Sequence, residues 1–246
     1  MDSGYYAAMT GLVARTQALD TAAANLANAQ TPGYRAEREY FRAVLLGPDA
    51  EDSQLGQAAN RYGLLGGDQL SMVQGPMQET GNPLDLALLG SSFFAVQTAG
   101  GVRYTRDGSF HRSQKGLLVT DKNEPVLSVK KQPIAIPPGE VLVGADGVLS
   151  VDGGTVDTVG IFQFASAAQL APEGANRYIA AAGSAPTLST DTSIRGGALE
   201  GANQDVVEGT LDLVMMQRQA EMMQKALSVF HNDFNKTAAE DLPKVS

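Results

Sequence analysis

The chain has 246 residues, enough for one large domain or two modest ones, with 43% hydrophobic and 18% charged residues. A formal net charge of −9, a pI near 4.7 and the lack of a basic stripe exclude the phosphate-neutralising face of a duplex-binding protein, and disfavour an anionic membrane surface. With no cysteine, disulfides, thiolate chemistry and Cys-based zinc sites are excluded too.

Met1 to Met9 has neither the basic nor the apolar region of a secretory signal, so export without a cleaved signal peptide is the expectation for any role outside the cytoplasm. No run approaches about 18 apolar residues, so no membrane insertion is expected. The first element is a helix. Tyr5, Met9, Leu12, Thr16, Leu19, Ala23 and Leu26 recur with alternating spacings of four and three, a heptad seam in which only Thr16 is polar. Asp2 or Ser3 can cap its start, and Thr31-Pro32-Gly33 stops it, because proline removes a donor and glycine favours a turn.

Arg35 to Leu46 can be read as helix or strand. Gly47 to Gly67 is rich in Gly, Asp, Gln and Ala, and reads as an extended or flexible connector. From Gln69 the period changes to two. Leu84, Leu86 and Leu88 alternate with Asp85 and Ala87, which puts Asp85 on the opposite face, where it could meet a neighbouring subunit's cation. Phe94, Val96 and Thr98 alternate next, and Val102 to Arg106 runs through Asp107-Gly108 into Ser109-Phe110-His111. Val141, Val143, Asp146-Gly147, Leu149 and Val151 repeat the scheme, and Ile161 to Phe164 is a further strand. Asp-Gly between alternating runs signals a hairpin, so the middle reads as an antiparallel β domain.

The last element is again helical. Val206, Gly209, Leu213, Met216, Ala220, Met223, Leu227, Phe230 and Phe234 form a second heptad seam, with Asp205 and Glu208 as a capping-box-like start and an expected end near Lys236. Met215, Met216, Met222 and Met223 serve either as adaptable core filler or as an interface that fits non-identical neighbours. The fold class is therefore α+β, with N- and C-terminal helices pairing as a short coiled coil around a central antiparallel β-rich domain. Residues 1–33 and 204–246 form the discontinuous helical domain, 34–68 the connector and 69–203 the β domain.

No catalytic motif stands out. His111 and His231 lack helical partners for a metal, and no P-loop, GxGxxG, GxSxG or HExxH occurs. Asp146 and Asp152 precede glycine, where turn chemistry explains them, and Asp157 has no partner that marks a carboxylate pair. No catalytic residue, metal ligand or cofactor is expected. The residues alone leave open an assembly subunit, a monomeric β-rich surface binding module and a secreted hydrolase with scattered carboxylates.

A family resemblance spans nearly the whole chain. Ala24-Asn25-Leu26-Ala27-Asn28 with Thr31-Pro32-Gly33-Tyr34 resembles the N-terminal signature of flagellar rod and hook proteins, with Ala24 in place of the usual Asn. Leu84 to Gly90 with Phe93-Phe94-Ala95-Val96, Tyr104-Thr105-Arg106-Asp107-Gly108-Ser109-Phe110 and Gly116 to Thr120 resemble its β domain, with Ser92 replacing Gly. Leu199-Glu200-Gly201-Ala202-Asn203 and Gln217-Arg218 with Glu221 and Lys225 resemble its C-terminal signature. Ala202 stands where Ser is usual, and Gln219-Ala220 where Ala and an aromatic are usual.

The resemblance implies a structural subunit of the bacterial flagellar basal-body rod. Such subunits pass unfolded through the flagellar type III export apparatus and polymerise in the periplasm with copies of themselves and other rod subunits. The terminal helices then line the inner tube and the β domain faces outward. Heterologous contacts that do not close into a ring generate such a helical assembly.

Overall fold

A computed structural model describes residues 2–42, 64–189 and 191–241. It begins with α1 (Asp2–Ala27), then β1 (Glu37–Arg42) and β2 (Leu64–Leu70), which pair with each other. Next come β3 (Met77–Glu79), β4 (Leu86–Leu89), β5 (Phe93–Thr98), β6 (Gly101–Thr105), β7 (Phe110–Arg112) and β8 (Leu118–Thr120). They are followed by β9 (Val141–Val143), β10 (Val148–Val151), β11 (Gly154–Thr158), β12 (Ile161–Gln163), β13 (Leu170–Gly174), β14 (Arg177–Ala180), β15 (Thr187–Leu188), β16 (Ser193–Gly196) and β17 (Ala198–Glu200). The last element is α2 (Val206–Asp241). The chain is thus α+β, and it divides into two compact units: residues 1–26, 38–69 and 206–246, and residues 27–37 with 70–205.

In the first unit each long helix has one face withdrawn from solvent. On α1 that face is Gly11, Ala14, Ala18, Ala22 and Asn25, flanked by half-buried Leu12, Leu19 and Leu26. On α2 it is Gly209, Leu213, Met216, Ala220, Met223 and Leu227, half-buried to buried at alternating spacings of four and three. Nothing in the sequence breaks α2 at Lys236, and the helix runs on to Asp241, two residues before Pro243. Of the segment that reads as helix or strand, Glu37 to Arg42 is strand, and residues 43–46 lie outside the described residues. So does most of the expected connector, 47–63.

The second unit is built on a six-stranded sheet ordered β13-β14-β6-β5-β12-β15, with all its pairs antiparallel. β5 lies inside it and is covered on both faces. Phe94 and Val96 join a core with Leu86, Leu88, Phe110, Leu118 and Leu149; Phe93 and Ala95 join a second core with Tyr104, Phe162, Phe164 and Tyr178. A strand buried on both faces reads as a continuous apolar run. The expected in-out alternation therefore fails at Phe93 to Val96 and at Leu86-Ala87-Leu88, all of them buried. Asp85 is buried as well. It accepts a hydrogen bond from Asn82 Nδ2 at 2.9 Å and pairs by a backbone bridge with Ser109, so it holds a turn and is not offered to a neighbour's cation.

Two of the Asp-Gly turns join hairpins. Asp146-Gly147 links β9 to β10, with Gly147 at φ 82 and Asp146 Oδ1 accepting from Val148 N. Asp152-Gly153 links β10 to β11 with both residues at positive φ, 50 and 81, as the tightest twisted hairpin turn requires. Asp107-Gly108 does not join a hairpin. β6 pairs with β5 and β14, whereas β7 pairs with β8. Here Asp107 Oδ1 accepts from Ser109 N and Oγ, a local turn that changes direction between sheets. Gly108 is demanded by proximity: a Cβ there would lie 1.7 Å from the Leu86 carbonyl oxygen.

Candidate functional site

Three sequence blocks, separated by more than 60 residues each, meet at one buried point of the second unit. The first is Thr31 to Ala36, by which the chain enters the unit after α1. A turn closed by Thr31 N to Asn28 O, 2.9 Å, and Tyr34 N to Thr31 O, 3.2 Å, redirects the backbone. Gly33 sits at φ +67, and a Cβ there would lie 2.3 Å from the Arg106 backbone carbon. Only glycine satisfies both conditions.

The second block is Tyr104 to Gly108, at the end of β6. The third is Leu199 to Asn203, which spans the end of β17, and it supplies the centre of the site. Glu200 is buried and accepts four side-chain hydrogen bonds. Its Oε1 takes Arg35 Nη2 at 2.8 Å and Gly75 N at 3.0 Å; its Oε2 takes Arg106 Nε at 2.9 Å and Arg106 Nη2 at 2.5 Å. Its backbone oxygen accepts from Gly33 N at 2.6 Å. Arg106 also donates from Nη1 to Ser92 O and from Nη2 to Leu88 O at 3.2 Å, with its guanidinium carbon 5.9 Å from the Phe93 ring centre. The fork of an arginine is needed here, since an ammonium could not reach these acceptors together.

Neighbouring contacts complete the seal. Asn203 N donates to Tyr34 O at 3.2 Å, Asn203 Oδ1 accepts from Ala36 N at 2.7 Å, and Asn203 Nδ2 donates to Val73 O at 2.8 Å. Asn176, at φ 57 in the β13–β14 turn, donates from Nδ2 to Pro32 O at 2.6 Å. Burial dominates the electrostatics. It lowers the Arg35 pKa, against the opposing charge of Glu200, and pulls Arg106 down to about 10, with the like charge of Arg35 adding to the effect. Burial also pushes the Tyr34 phenol up to about 12, aided by Glu37, and raises Tyr178 further.

The arrangement is built to hold and not to react. Both Glu200 oxygens are occupied by fixed donors. Among the described residues no group of three or more His, Cys, Asp or Glu could hold a metal ion, and no helix is long and apolar enough to cross a membrane.

The structure brings together only part of the expected residues. Gly33, Arg106, Gly108 and Phe110 are buried with Tyr104 and Thr105; Pro32, Tyr34, Asp107 and Asn203 are half-buried around them. Asn25 is buried and Asn28 half-buried on the helix and turn before the junction, while Ala27, Gln217 and Arg218 are exposed. Of the seam residues, Met9, Ala23 and Val206 are exposed, and the side chains of Tyr5, Phe230 and Phe234 lie outside the described residues. Arg35 and Glu200, which carry the junction, were not among the expected site residues. The available signal was an arginine and a glutamate set in apolar, glycine-rich blocks, where charge is out of place unless paired.

The flagella basal body rod protein family matches residues 6–35, and the flagellar hook protein FlgE/F/G D1 domain matches residues 87–151. The chain is 34% identical to the flagellar basal-body rod protein FlgF of Caulobacter vibrioides, over 100% of each chain. It is 34% identical to the FlgF of Escherichia coli, covering 93% of this chain and 94% of that one. It is 28% identical to the flagellar basal-body rod protein FlgG of Bacillus subtilis, covering 87% and 89%.

Proposed function

We infer the role of the chain from the premise that it belongs to the flagellar basal-body rod protein family: it is a structural subunit of the rod, and not an enzyme. The observation that carries this reading is the full-length similarity to rod proteins named FlgF. The buried junction agrees with it. Blocks that resemble the family signature at residues 31–34, 104–110 and 199–203 serve one structural purpose, which is to fix where the chain enters and leaves the β unit.

The finer reading is the proximal part of the rod, with the distal part as second choice. The relatives named FlgF run at 31–34% identity and those named FlgG at 27–28%. In this reading the subunit leaves through the type III export apparatus and polymerises across the periplasm with its own copies and other rod subunits, where it transmits torque. Residues 1–33 and 204–246 form the inner tube and 69–203 the outer domain. α1 and α2 pair as a short coiled coil, with Leu12, Leu19, Leu26, Leu213, Met216, Ala220, Met223 and Leu227 in the seam. The one-sided burial of both helices supports that pairing.

The test is to purify basal bodies from cells carrying an epitope in the β unit and to locate the label along them. Label on the rod near the membrane motor is the expected result. Label near the hook would replace the proximal reading by the distal one, and its absence from basal bodies would remove the rod function.

A further inference from the structure

Residues 113–136 of the β unit hold an internal repeat. Three turns, Ser113 to Gly116, Thr120 to Asn123 and Ser128 to Lys131, each begin with a hydroxyl residue and carry lysine at the third position: Lys115, Lys122 and Lys130. Each closes from the N–H of its fourth residue to the carbonyl of its first, at 2.9, 2.7 and 2.8 Å, with the fourth residue at a positive φ of 75, 60 and 58. Each leads into a short extended segment centred on a buried residue, Leu118, Val126 or Ile134. These three bond one another in a ring: Leu118 N to Ile134 O at 2.9 Å, Ile134 N to Val126 O at 3.1 Å and Val126 N to Leu118 O at 2.9 Å. The ring has pseudo-threefold symmetry, which sets the lysine turns at its corners, with about three extended residues, roughly 10 Å, between successive corners. All three lysines are exposed, and none is in an ion pair among the described residues. Of the two carboxylates in this stretch, Glu124 is spent on Arg177, and Asp121 alone stands among the cations.

The outer face of the sheet β11-β10-β9 has the opposite character. Val141, Val143, Leu149, Val151 and Val156 turn inward to the core, so Glu140, Leu142, Ser150, Asp152, Thr155 and Asp157 turn outward. Leu142 is 59% exposed on this face, and Asp146 is exposed at the β9–β10 tip. From Gln132 to Asn176 the chain has no lysine or arginine. Glu140, Asp146, Asp152 and Asp157 take part in no ion pair among the described residues. Asp146 and Asp152 flank the four residues of β10, roughly 13 Å of strand, a spacing close to that of the lysine turns. An exposed apolar side chain within a charged rim has the make-up of a protein interface.

We propose that the three lysine turns of one copy dock on the outer face of β9, β10 and β11 of a second copy, with Lys115, Lys122 and Lys130 against its carboxylates and Leu142 covered between them. The occupant is another copy because the chain carries both halves of the match, a cationic surface short of counter-charge and an anionic face without cations. Like charge keeps two turn surfaces, or two sheet faces, apart. The contact therefore joins unlike surfaces, and it propagates from copy to copy instead of closing a dimer. The inference rests on the rod reading above and gives the β unit a part in assembly of its own.

The test reverses each face in the full-length chain in motile cells. The turn variant carries Lys115→Glu, Lys122→Glu and Lys130→Glu; the sheet variant carries Glu140→Lys, Thr155→Lys and Asp157→Lys. The replaced side chains lie at the surface, so both variants should keep the urea midpoint of the parent. Either variant expressed alone should enter basal bodies about tenfold less than the parent. The two expressed together should restore incorporation, because each presents the charge that the other lacks. The chain has no cysteine, so a crosslink checks the contact without altering the charge of a whole face. Lys122→Cys and Leu142→Cys chains, co-expressed and treated with a short bismaleimide in purified basal bodies, should give a linked heterodimer. Lys122→Cys with Ile179→Cys, on β14, should not. Loss with either variant alone but no rescue by the pair would assign the face to a different rod subunit and overturn the copy as occupant. Full incorporation of either variant alone, or no link between positions 122 and 142 in chains that do enter basal bodies, overturns the docking while the rod function stands. If the parent chain is missing from basal bodies altogether, the rod reading fails and the inference with it.

Discussion

Gly33 and Glu200 show how single residues decide the junction. Gly33→Val would place a branched side chain at φ +67 against the Arg106 backbone, so the turn must move or the unit must open. The expected cost is about 3 kcal/mol or more, read as a lower urea midpoint for the tyrosine signal of the β unit. An unchanged midpoint would mean that the turn yields freely. Glu200→Gln keeps the size and removes the charge, which strands Arg35 and Arg106 in the interior. Losing one partner of a buried ion pair costs about 3–5 kcal/mol. Gln217→Glu, on the exposed surface of α2, serves as a charge-changing control and should shift the midpoint little. The positive φ of Gly33 could be anticipated from Thr31-Pro32-Gly33, since the turn residues act locally. The pairing of Glu200 with residues 94 and 165 positions away could not, because nothing local marks it.

At the scale of the element, local chemistry was legible and packing was not. Asp152-Gly153 makes its hairpin because both residues tolerate positive φ, and the strands on either side need only follow. The same dipeptide at Asp107-Gly108 makes a corner, because Phe110 goes to one core and Tyr104 to the other. The spacing of α2 reads directly as its buried face, with Gly209, Ala220 and Leu227 among its members. On α1 the buried face centres on alanines, which carry too little apolar weight to outrank the leucines beside them. Leu227→Asp should therefore act on the helices alone. A carboxylate at this buried position costs several kcal/mol, so far-UV circular dichroism should lose helix and basal-body incorporation should fail. The near-UV tyrosine signal of the β unit should persist. Normal swimming by this mutant would refute the seam.

Considered as a whole molecule, the protein titrates most tellingly at alkaline pH. The Tyr34 pKa is raised from 10.0 to about 12 by burial and by Glu37. A group whose pKa is raised in the folded state contributes stability that is fully present below pH 10 and is lost as pH rises to about 12. Acid titration leaves this contribution untouched. Between pH 10 and 12 this contribution opposes that of Arg106, whose lowered pKa favours the folded state as pH rises, so the test is the difference between variants: Tyr34→Phe should lose less stability than the parent over this range, and equal losses would place the cause elsewhere. The hydrogen bonds of the junction also have a mechanical consequence. The segment that enters the β unit is bonded to the segment that leaves it, through Gly33 N to Glu200 O, Asn203 N to Tyr34 O and Ala36 N to Asn203 Oδ1. A pull on the two ends of this unit loads those bonds together, in shear, and passes across its base. The sheets of this unit, within residues 70–200, lie beyond those bonds and feel little of the tension.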